Sequence, residues 1–163
     1  MKLVDTLTTL YSHNLWANLR LLERCAELTD EQLDATILGS YGSIRETLEH
    51  IVKAERSYLS RISTGKMYQH PEDASPMTIE EMTEAARETG AGFIEWAPKV
   101  QAEDTVELDS DGTPIDVPKT IILTQVINHA TEHRAQILAI LTELGIESPD
   151  LQSWKYFDEM YTG

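Results

Sequence analysis

The chain has 163 residues, enough to bury one substantial core, and we expect residues 1–163 to form a single domain. It carries 28 Asp and Glu residues against 13 Lys and Arg residues, which gives a formal net charge of -15 at pH 7. This charge repels phosphate backbones and anionic lipid surfaces, so we expect neither nucleic acid nor a membrane as a partner. The single cysteine, Cys25, and the lack of a signal-like or membrane-spanning apolar run predict a cytoplasmic protein.

Apolar periodicity and capping residues predict two helices in the first part of the chain. The first runs to about Leu28 and is followed by a short turn over residues 29–32. Ser43, with Glu46 three residues later, forms a capping box that predicts the start of a second helix. That helix is predicted to end near Gly65, before a loop that contains two prolines.

The next segment changes from helical to strand-like patterning. Thr78 and Glu81 form another capping box, which predicts a third helix to about Ala102. Apolar and polar residues then alternate on both sides of residues 109–112, and this pattern predicts a small β-hairpin. Pro114 would confine the second strand to an edge.

A fourth long helix is predicted from about Pro118 to Gly145. Four long helices with one small β excursion predict an all-α fold, a four-helix bundle with a β-hairpin between helices 3 and 4.

His129 and His133 lie four residues apart on the fourth helix, within its apolar stripe. Residues at this spacing are neighbours on a helix surface, so the two imidazoles can converge on one point. Two buried imidazoles need partner groups or a shared metal, because each unsatisfied polar atom costs roughly 1–3 kcal/mol. The pair is therefore a candidate metal site.

His50 is the candidate third ligand. It lies on a flank of the second helix, roughly 140° from the centre of the apolar stripe and among small neighbours. Catalytic zinc sites commonly use three protein ligands and keep one position for water or substrate. Three histidines without a thiolate would suit zinc, nickel, copper or ferrous iron.

Each histidine in the chain also has an interpretation that involves no metal. A histidine pair at this spacing is often structural, and His50 taken alone would be an ordinary boundary residue. His13, on a helix edge, and His70, before a proline in a loop, are predicted to be solvated.

Two other motif matches are discounted. Residues 129–133 satisfy the H-x-x-E-H pattern, but the further acidic ligand that such peptidases need has no evident equivalent, so Glu132 is predicted to be a helix-flank carboxylate. The acidic residues around Gly112 resemble part of a calcium loop, but Pro118 stands where the final bidentate Glu would be. A hairpin turn explains them better.

The segment from Asn128 to Gln136, with its two histidines and Arg134, resembles the NHxxxHRGQ signature of the DinB/YfiT-like metalloenzyme family. Ala135 stands where glycine is frequent in that signature. The resemblance extends over most of the chain, through residues 15–22, 29–33 and 48–51.

The resemblance implies an up-down-down-up bundle, often a homodimer, in which His50, His129 and His133 bind a divalent metal beside a cleft. Characterised relatives include metal-dependent transferases that use bacillithiol or mycothiol, and a maleylpyruvate isomerase that uses mycothiol. The leading hypothesis is therefore metal-dependent transfer of a low-molecular-weight thiol to an electrophilic small-molecule substrate, with zinc or nickel as the leading metals.

Two alternatives stay open: a metal-dependent hydrolase, and a non-catalytic metal-binding stress or interaction protein. The sequence assigns no general base and no thiol-binding residue, although Asn128 and Glu132 lie near the triad along the helix. Four aromatic residues crowd the tail, where they could close the pocket or form a subunit interface, but packing in the core is the main expectation. They are Trp154, Tyr156, Phe157 and Tyr161.

Overall fold

The computed structural model describes residues 4–71 and 74–162. It is mostly helical, with one small antiparallel sheet, as the sequence predicts. In chain order the elements are α1 (Thr6–Cys25), α2 (Asp30–Leu33), α3 (Ile44–Thr64), α4 (Ile79–Trp96), β1 (Thr105–Ser110), β2 (Thr113–Pro118), α5 (Lys119–Glu143) and α6 (Ser153–Tyr161). Within the described ranges, no helix is long and apolar enough to cross a membrane.

Side-chain caps open the helices where the sequence predicts them. Ser43 and Glu46 form the reciprocal capping box at the start of α3, and Thr78 opens α4 in the same way. Thr29 and Gln32 form a further box that opens the one-turn helix α2. The prediction of a simple turn there is wrong, because the box satisfies backbone N–H groups that would otherwise lack partners.

Two predicted helix ends lie too far along the chain. The N–H of Leu28 bonds to the carbonyl of Cys25, a tighter turn that ends α1 before the predicted residue. Helix α4 ends at Trp96 rather than near Ala102, because Pro98 lacks an N–H and lies in the 3₁₀ turn that follows.

The predicted hairpin is confirmed. Strands β1 and β2 pair in an antiparallel register in which Leu108 lies opposite Ile115. Asp109 Oδ1 accepts the N–H of Gly112 at 2.7 Å, and Gly112 has a φ of 82°, which favours glycine. These groups explain the acidic turn without a calcium ion.

The four long helices contact one another in pairs: α1 packs on α4 and α5, and α3 packs on the same two helices. Two glycines let α4 approach its neighbours closely. A Cβ added at Gly90 would lie 2.5 Å from Leu15 Cδ1, and one at Gly92 would overlap Leu59. The residues that make α4 less regular in sequence are therefore packing positions.

The buried apolar side chains form two clusters, one at each end of this helical assembly. The larger is built around Leu21, Leu48, Ile51, Met82, Ile137 and Ile140. The smaller is built around Tyr11, Ile62, Phe93, Ile122 and Val126, with Val106 from β1.

The C-terminal aromatic residues lie on α6, a helix that the sequence analysis does not predict. Tyr156 is buried and its ring contacts those of His13 and Trp16 on α1. Trp154 is 77% exposed and Phe157 is also exposed. Core packing is thus correct for Tyr156 and wrong for these two, because a nine-residue helix that packs on one side leaves its other side in solvent.

Candidate metal centre

Helix α5 carries His129 and His133 toward α3. Their neighbours in the stripe, Val126, Ala130 and Ile137, are fully buried, and this burial fixes the side of α5 that faces the interior. His133 is 8% exposed and His129 is half-buried. Their ring centroids lie 4.5 Å apart, as the four-residue spacing predicts.

His50 reaches the same point from α3. Its Nε2 lies 2.9 Å from His129 Nε2, and its ring centroid lies 4.8 Å from that of His133. One ligand atom from each of the three histidines can be chosen so that all lie within 4.8 Å of one another. The structure thus brings together the three residues proposed from the sequence.

Burial and the neighbouring rings favour the neutral form of two imidazoles in this cluster, those of His129 and His50. Burial lowers the pKa of His129 to about 4, with a further lowering from the neighbouring His133 and His50. Burial also lowers the pKa of His50, and His133 adds to the effect. Only a neutral imidazole has a lone pair for a metal, so these rings are prepared for ligation near pH 7.

Gln136 determines the tautomer of His133. The amide oxygen Oε1 accepts the backbone N–H of Tyr41 at 3.2 Å, which fixes the orientation of the amide. His133 Nδ1 lies 2.9 Å from the same oxygen and must therefore donate its proton to it. The lone pair of His133 is consequently on Nε2, and the ring is oriented as metal-bound histidines usually are.

Two tyrosines border the cluster. The Tyr41 ring stacks on His50 with centroids 4.1 Å apart and meets His133 edge-on at 5.3 Å. The ring of Tyr58, on α3, meets that of His129 edge-on, with centroids 6.0 Å apart. Tyr41 is 54% exposed, so it covers one side of the cluster while its other face meets solvent.

The donor set fits a divalent metal. Two nitrogen ligands of a tetrahedral zinc ion lie about 3.3 Å apart, since each bond is about 2.0–2.1 Å long. The observed 2.9 Å between His50 and His129 needs only a small adjustment to reach that geometry. His129 Nδ1 is buried and no described residue hydrogen-bonds it, so His50 is the only hydrogen-bond partner of this ring among the described residues.

No carboxylate or thiol of the described residues joins the three histidines in the cluster. Glu132 is exposed on the flank of α5, as predicted, and so is Asn128. Among the described residues, no hydrogen bond links the side chain of either to the triad. Neither residue is supported as a partner of the histidines.

The other two histidines each have a protein hydrogen-bond partner and are only partly exposed, so the prediction of fully solvated side chains is wrong for both. His13 Nε2 lies 2.8 Å from the carbonyl of Leu151, in a segment that packs beside α1. His70 is half-buried, with Nε2 3.1 Å from the hydroxyl of Ser57. Each ring is held by contacts that local sequence does not specify.

The sequence analysis also missed a buried polar network next to the triad. Its members are Asn14, Asn18, Glu55, Thr89 and Arg134. A signal was present, because Glu55 falls on the apolar stripe of α3 with Ile51 and Ile62, and Arg134 falls on that of α5. A charged residue at a stripe position predicts a buried partner.

Comparison with known proteins gives a consistent result. The family model described as the DinB family matches residues 3–160. A curated relative, Protein DinB of Bacillus subtilis strain 168, is 27% identical over 150 residues, which cover 85% of this chain and 86% of the relative.

Two solved structures share the fold. A DinB-like protein from Bacillus cereus ATCC 10987 has a TM-score of 0.60 at 21% identity, over 86% of this chain and 91% of that one. A DinB-like protein from Bacillus subtilis has a TM-score of 0.63 at 14% identity, over 88% and 97%. Since the family model covers nearly its whole length, the chain belongs to the DinB family.

Proposed function

We propose that this protein is a metal-dependent enzyme that transfers a low-molecular-weight thiol to an electrophilic small molecule. His50, His129 and His133 would be the metal ligands. The observation that carries the proposal is the convergence of three histidine nitrogens without a carboxylate or thiolate from the described residues. Three protein ligands and an open position are typical of catalytic rather than structural sites.

A divalent metal held there would lower the pKa of a thiol or water at the open position and so provide a nucleophile near neutral pH. Protein residues would orient and cover the metal ligands. Gln136 holds His133 in the tautomer with a free Nε2, and Tyr41 covers His50 on one side. Zinc and nickel are the leading candidates, with iron and copper as the other choices for a nitrogen-only donor set.

The attacking sulfur must come from a small molecule. Cys25 is fully buried, and burial raises the pKa of its thiol to about 12. A thiol in that state is not a nucleophile near pH 7. The thiol class, bacillithiol or mycothiol, is proposed from the characterised members of the DinB/YfiT-like family.

The proposal includes an assembly and a choice of partners. The pairwise contacts of α1, α3, α4 and α5 support a four-helix bundle, and its up-down-down-up connectivity is proposed from the family resemblance. A homodimer, a small-molecule substrate and a cytoplasmic location belong to the same proposal. The net charge of -15 argues against nucleic acid and anionic membranes as partners.

The first test is the metal content of untagged protein by mass spectrometry. Near-stoichiometric metal is expected in the wild type, with its loss in folded His129→Ala and His133→Ala variants. The matched control is His70→Ala, which removes a half-buried imidazole outside the cluster and should retain the metal. Wild-type protein that neither contains nor takes up a divalent metal would exclude the proposed function.

The second test follows conjugation of bacillithiol to monochlorobimane by fluorescence. A carbon–sulfur bond forms, the carbon–chlorine bond breaks, chloride leaves and the thiol proton goes to the buffer. Metal-loaded protein should accelerate the reaction. Bacillithiol should also raise the melting temperature of the metal-loaded protein by more than it raises that of the metal-free protein. Thiol-independent ester hydrolysis would indicate a hydrolase instead, and bound metal without turnover would indicate a metal-binding protein.

A further inference from the structure

The buried network beside the triad links α1, α3 and α5 through two asparagine side chains, and Thr89 adds a contact from α4. Glu55 on α3 is 1% exposed, and its Oε1 accepts hydrogen bonds from Asn14 Nδ2 and Asn18 Nδ2, each at 2.9 Å. Its Oε2 lies 3.3 Å from the hydroxyl of Thr89 on α4, whose single proton also has the carbonyl of Ala85 within reach at 3.0 Å. All polar atoms of this buried carboxylate are therefore directed at protein groups.

Arg134 on α5 completes the network from the opposite side. It is 5% exposed, and its Nη1 donates to Asn14 Oδ1 at 2.7 Å and to Asn18 Oδ1 at 2.6 Å. A guanidinium can only donate and a carboxylate can only accept, so each amide has one allowed orientation. The two asparagines, one turn apart on α1, thus lie between the buried guanidinium of Arg134 and the buried carboxyl group of Glu55 and bond to both.

Stability alone does not explain such a network. Burying two charges costs several kcal/mol per ion, and well-packed apolar residues of similar volume are often at least as stable. The directional bonds, by contrast, allow only one register of the three helices, whereas apolar side chains tolerate small shifts. The network is therefore better suited to fixing a geometry than to adding stability.

The fixed geometry is that of the candidate ligands. Arg134 directly follows His133 on α5, and Glu55 lies five residues after His50 on α3, about 7.5 Å along the helix axis. The network therefore ties the two ligand-bearing helices to the same pair of α1 side chains, close to the triad. Metal ligation tolerates deviations of only about 0.2 Å in bond length, which a slipped helix pair would exceed.

We propose that Asn14, Asn18, Glu55 and Arg134 are positioning residues that set the register of α3 against α5 and thereby place His50 within reach of His129 and His133. This inference rests on the proposed metal site, but it also makes a claim about the metal-free protein. When the network is removed, the position of His50 relative to His129 and His133 should change, even where the fold is retained.

The test replaces the network with apolar side chains and measures Co²⁺ binding. The fourfold variant carries Asn14→Leu, Asn18→Leu, Glu55→Met and Arg134→Met. We expect its melting temperature to equal or exceed that of the wild type, while Co²⁺ affinity falls about tenfold or more and the visible spectrum of bound Co²⁺ changes. If the variant does not fold, Asn18→Leu alone is judged by Co²⁺ affinity and spectrum, and its melting temperature should fall because Glu55 and Arg134 each lose a buried partner.

Two control variants test whether Co²⁺ affinity depends on the hydrogen-bond geometry of the network. One removes the charge of Glu55, and the other breaks helix contacts outside the network. Glu55→Gln retains an acceptor for both asparagines but removes the charge, so it should lower the melting temperature while Co²⁺ affinity stays within about threefold. Arg45→Met breaks the ion pairs of α3 with Asp30, the first residue of α2, and with Asp34, the residue after its end, and should leave Co²⁺ affinity unchanged.

Unchanged Co²⁺ affinity and spectrum in the folded fourfold variant would overturn the inference and leave the proposed metal function intact. If the wild type binds no Co²⁺, the metal function fails, and imidazole ¹⁵N spectra of the metal-free proteins decide the positioning role. A changed His50 to His129 contact in the variant would then support the inference, and identical imidazole spectra would overturn it.

Discussion

His50 Nε2 and His129 Nε2 lie 2.9 Å apart, although the two residues are 79 positions apart in the chain. Two neutral imidazoles at this distance share one proton between their facing nitrogens. A metal bound by both Nε2 atoms would need that proton to move to an Nδ1 atom, because a neutral imidazole ligand keeps one N–H. This contact joins α3 to α5 at the candidate site.

Removal of the Gln136 side-chain amide should weaken metal binding. Gln136→Leu takes away the acceptor of His133 Nδ1 and of the Tyr41 N–H. We expect metal affinity to fall about 10–100-fold, measured by competition with a chromophoric chelator. Gln136→Glu keeps an acceptor and should retain most of the affinity.

The matched control is Gln125→Leu, the same substitution at an exposed position on the same helix. It should leave affinity unchanged. Equal affinities for Gln136→Leu and Gln125→Leu would show that the Gln136 amide does not orient the ligand.

The stability of the metal-free protein should fall as the pH drops from about 6.5 to about 4. Within this window the unfolded chain protonates its histidines, whereas the folded state keeps His129 neutral, with a pKa of about 4. The unfolded state therefore binds more protons, and the free energy of unfolding decreases until the pH passes below the folded pKa.

The measurement is denaturant unfolding at several pH values for wild type and His129→Gln. The variant should show a smaller loss of stability across this window, because one of the shifted groups is absent. Parallel pH profiles would show that His129 has an ordinary pKa.

Loss of the Tyr41 ring should affect metal exchange more than stability. The ring is half-exposed, so Tyr41→Ala should cost no more than about 1 kcal/mol of folding free energy. It also covers His50, and its removal should speed metal release to a chelator in stopped-flow experiments. Tyr41→Phe retains the stacking and should behave like the wild type, so equal release rates in all three proteins would refute a covering role.

Cys25 should be inert in the folded protein and dispensable for turnover. Its thiol is fully buried, and burial raises its pKa to about 12, so it should react with a thiol reagent only after unfolding. Cys25→Ala should retain any thiol-transfer activity that the wild type shows, with a modest loss of stability from the small cavity. Rapid labelling of native protein, or loss of turnover in a folded variant, would give the protein's own thiol a role.

The sequence by itself was sufficient to predict the hairpin, the starts of α3 and α4, and the shared face of His129 and His133. These features depend on residues within one or two helical turns, such as the Ser43 and Glu46 capping box, and local backbone geometry relates them directly. The ends of α1 and α4 were less predictable, because tight terminal turns compete with continued helix over a few residues.

The contacts between residues on different helices and loops could not be predicted from the sequence, because they depend on how these elements pack in the tertiary structure. The rotation of α3 against α5 brings His50 to His129, and packing of loop residues places Tyr41 on His50 and on Gln136. His13 and His70 were predicted to be solvated because local patterning does not show their partners, Leu151 for His13 and Ser57 for His70. The polar network shows the same limit: Glu55 and Arg134 stand out along the sequence, but only the tertiary structure identifies Asn14 and Asn18 on α1 as their shared partners.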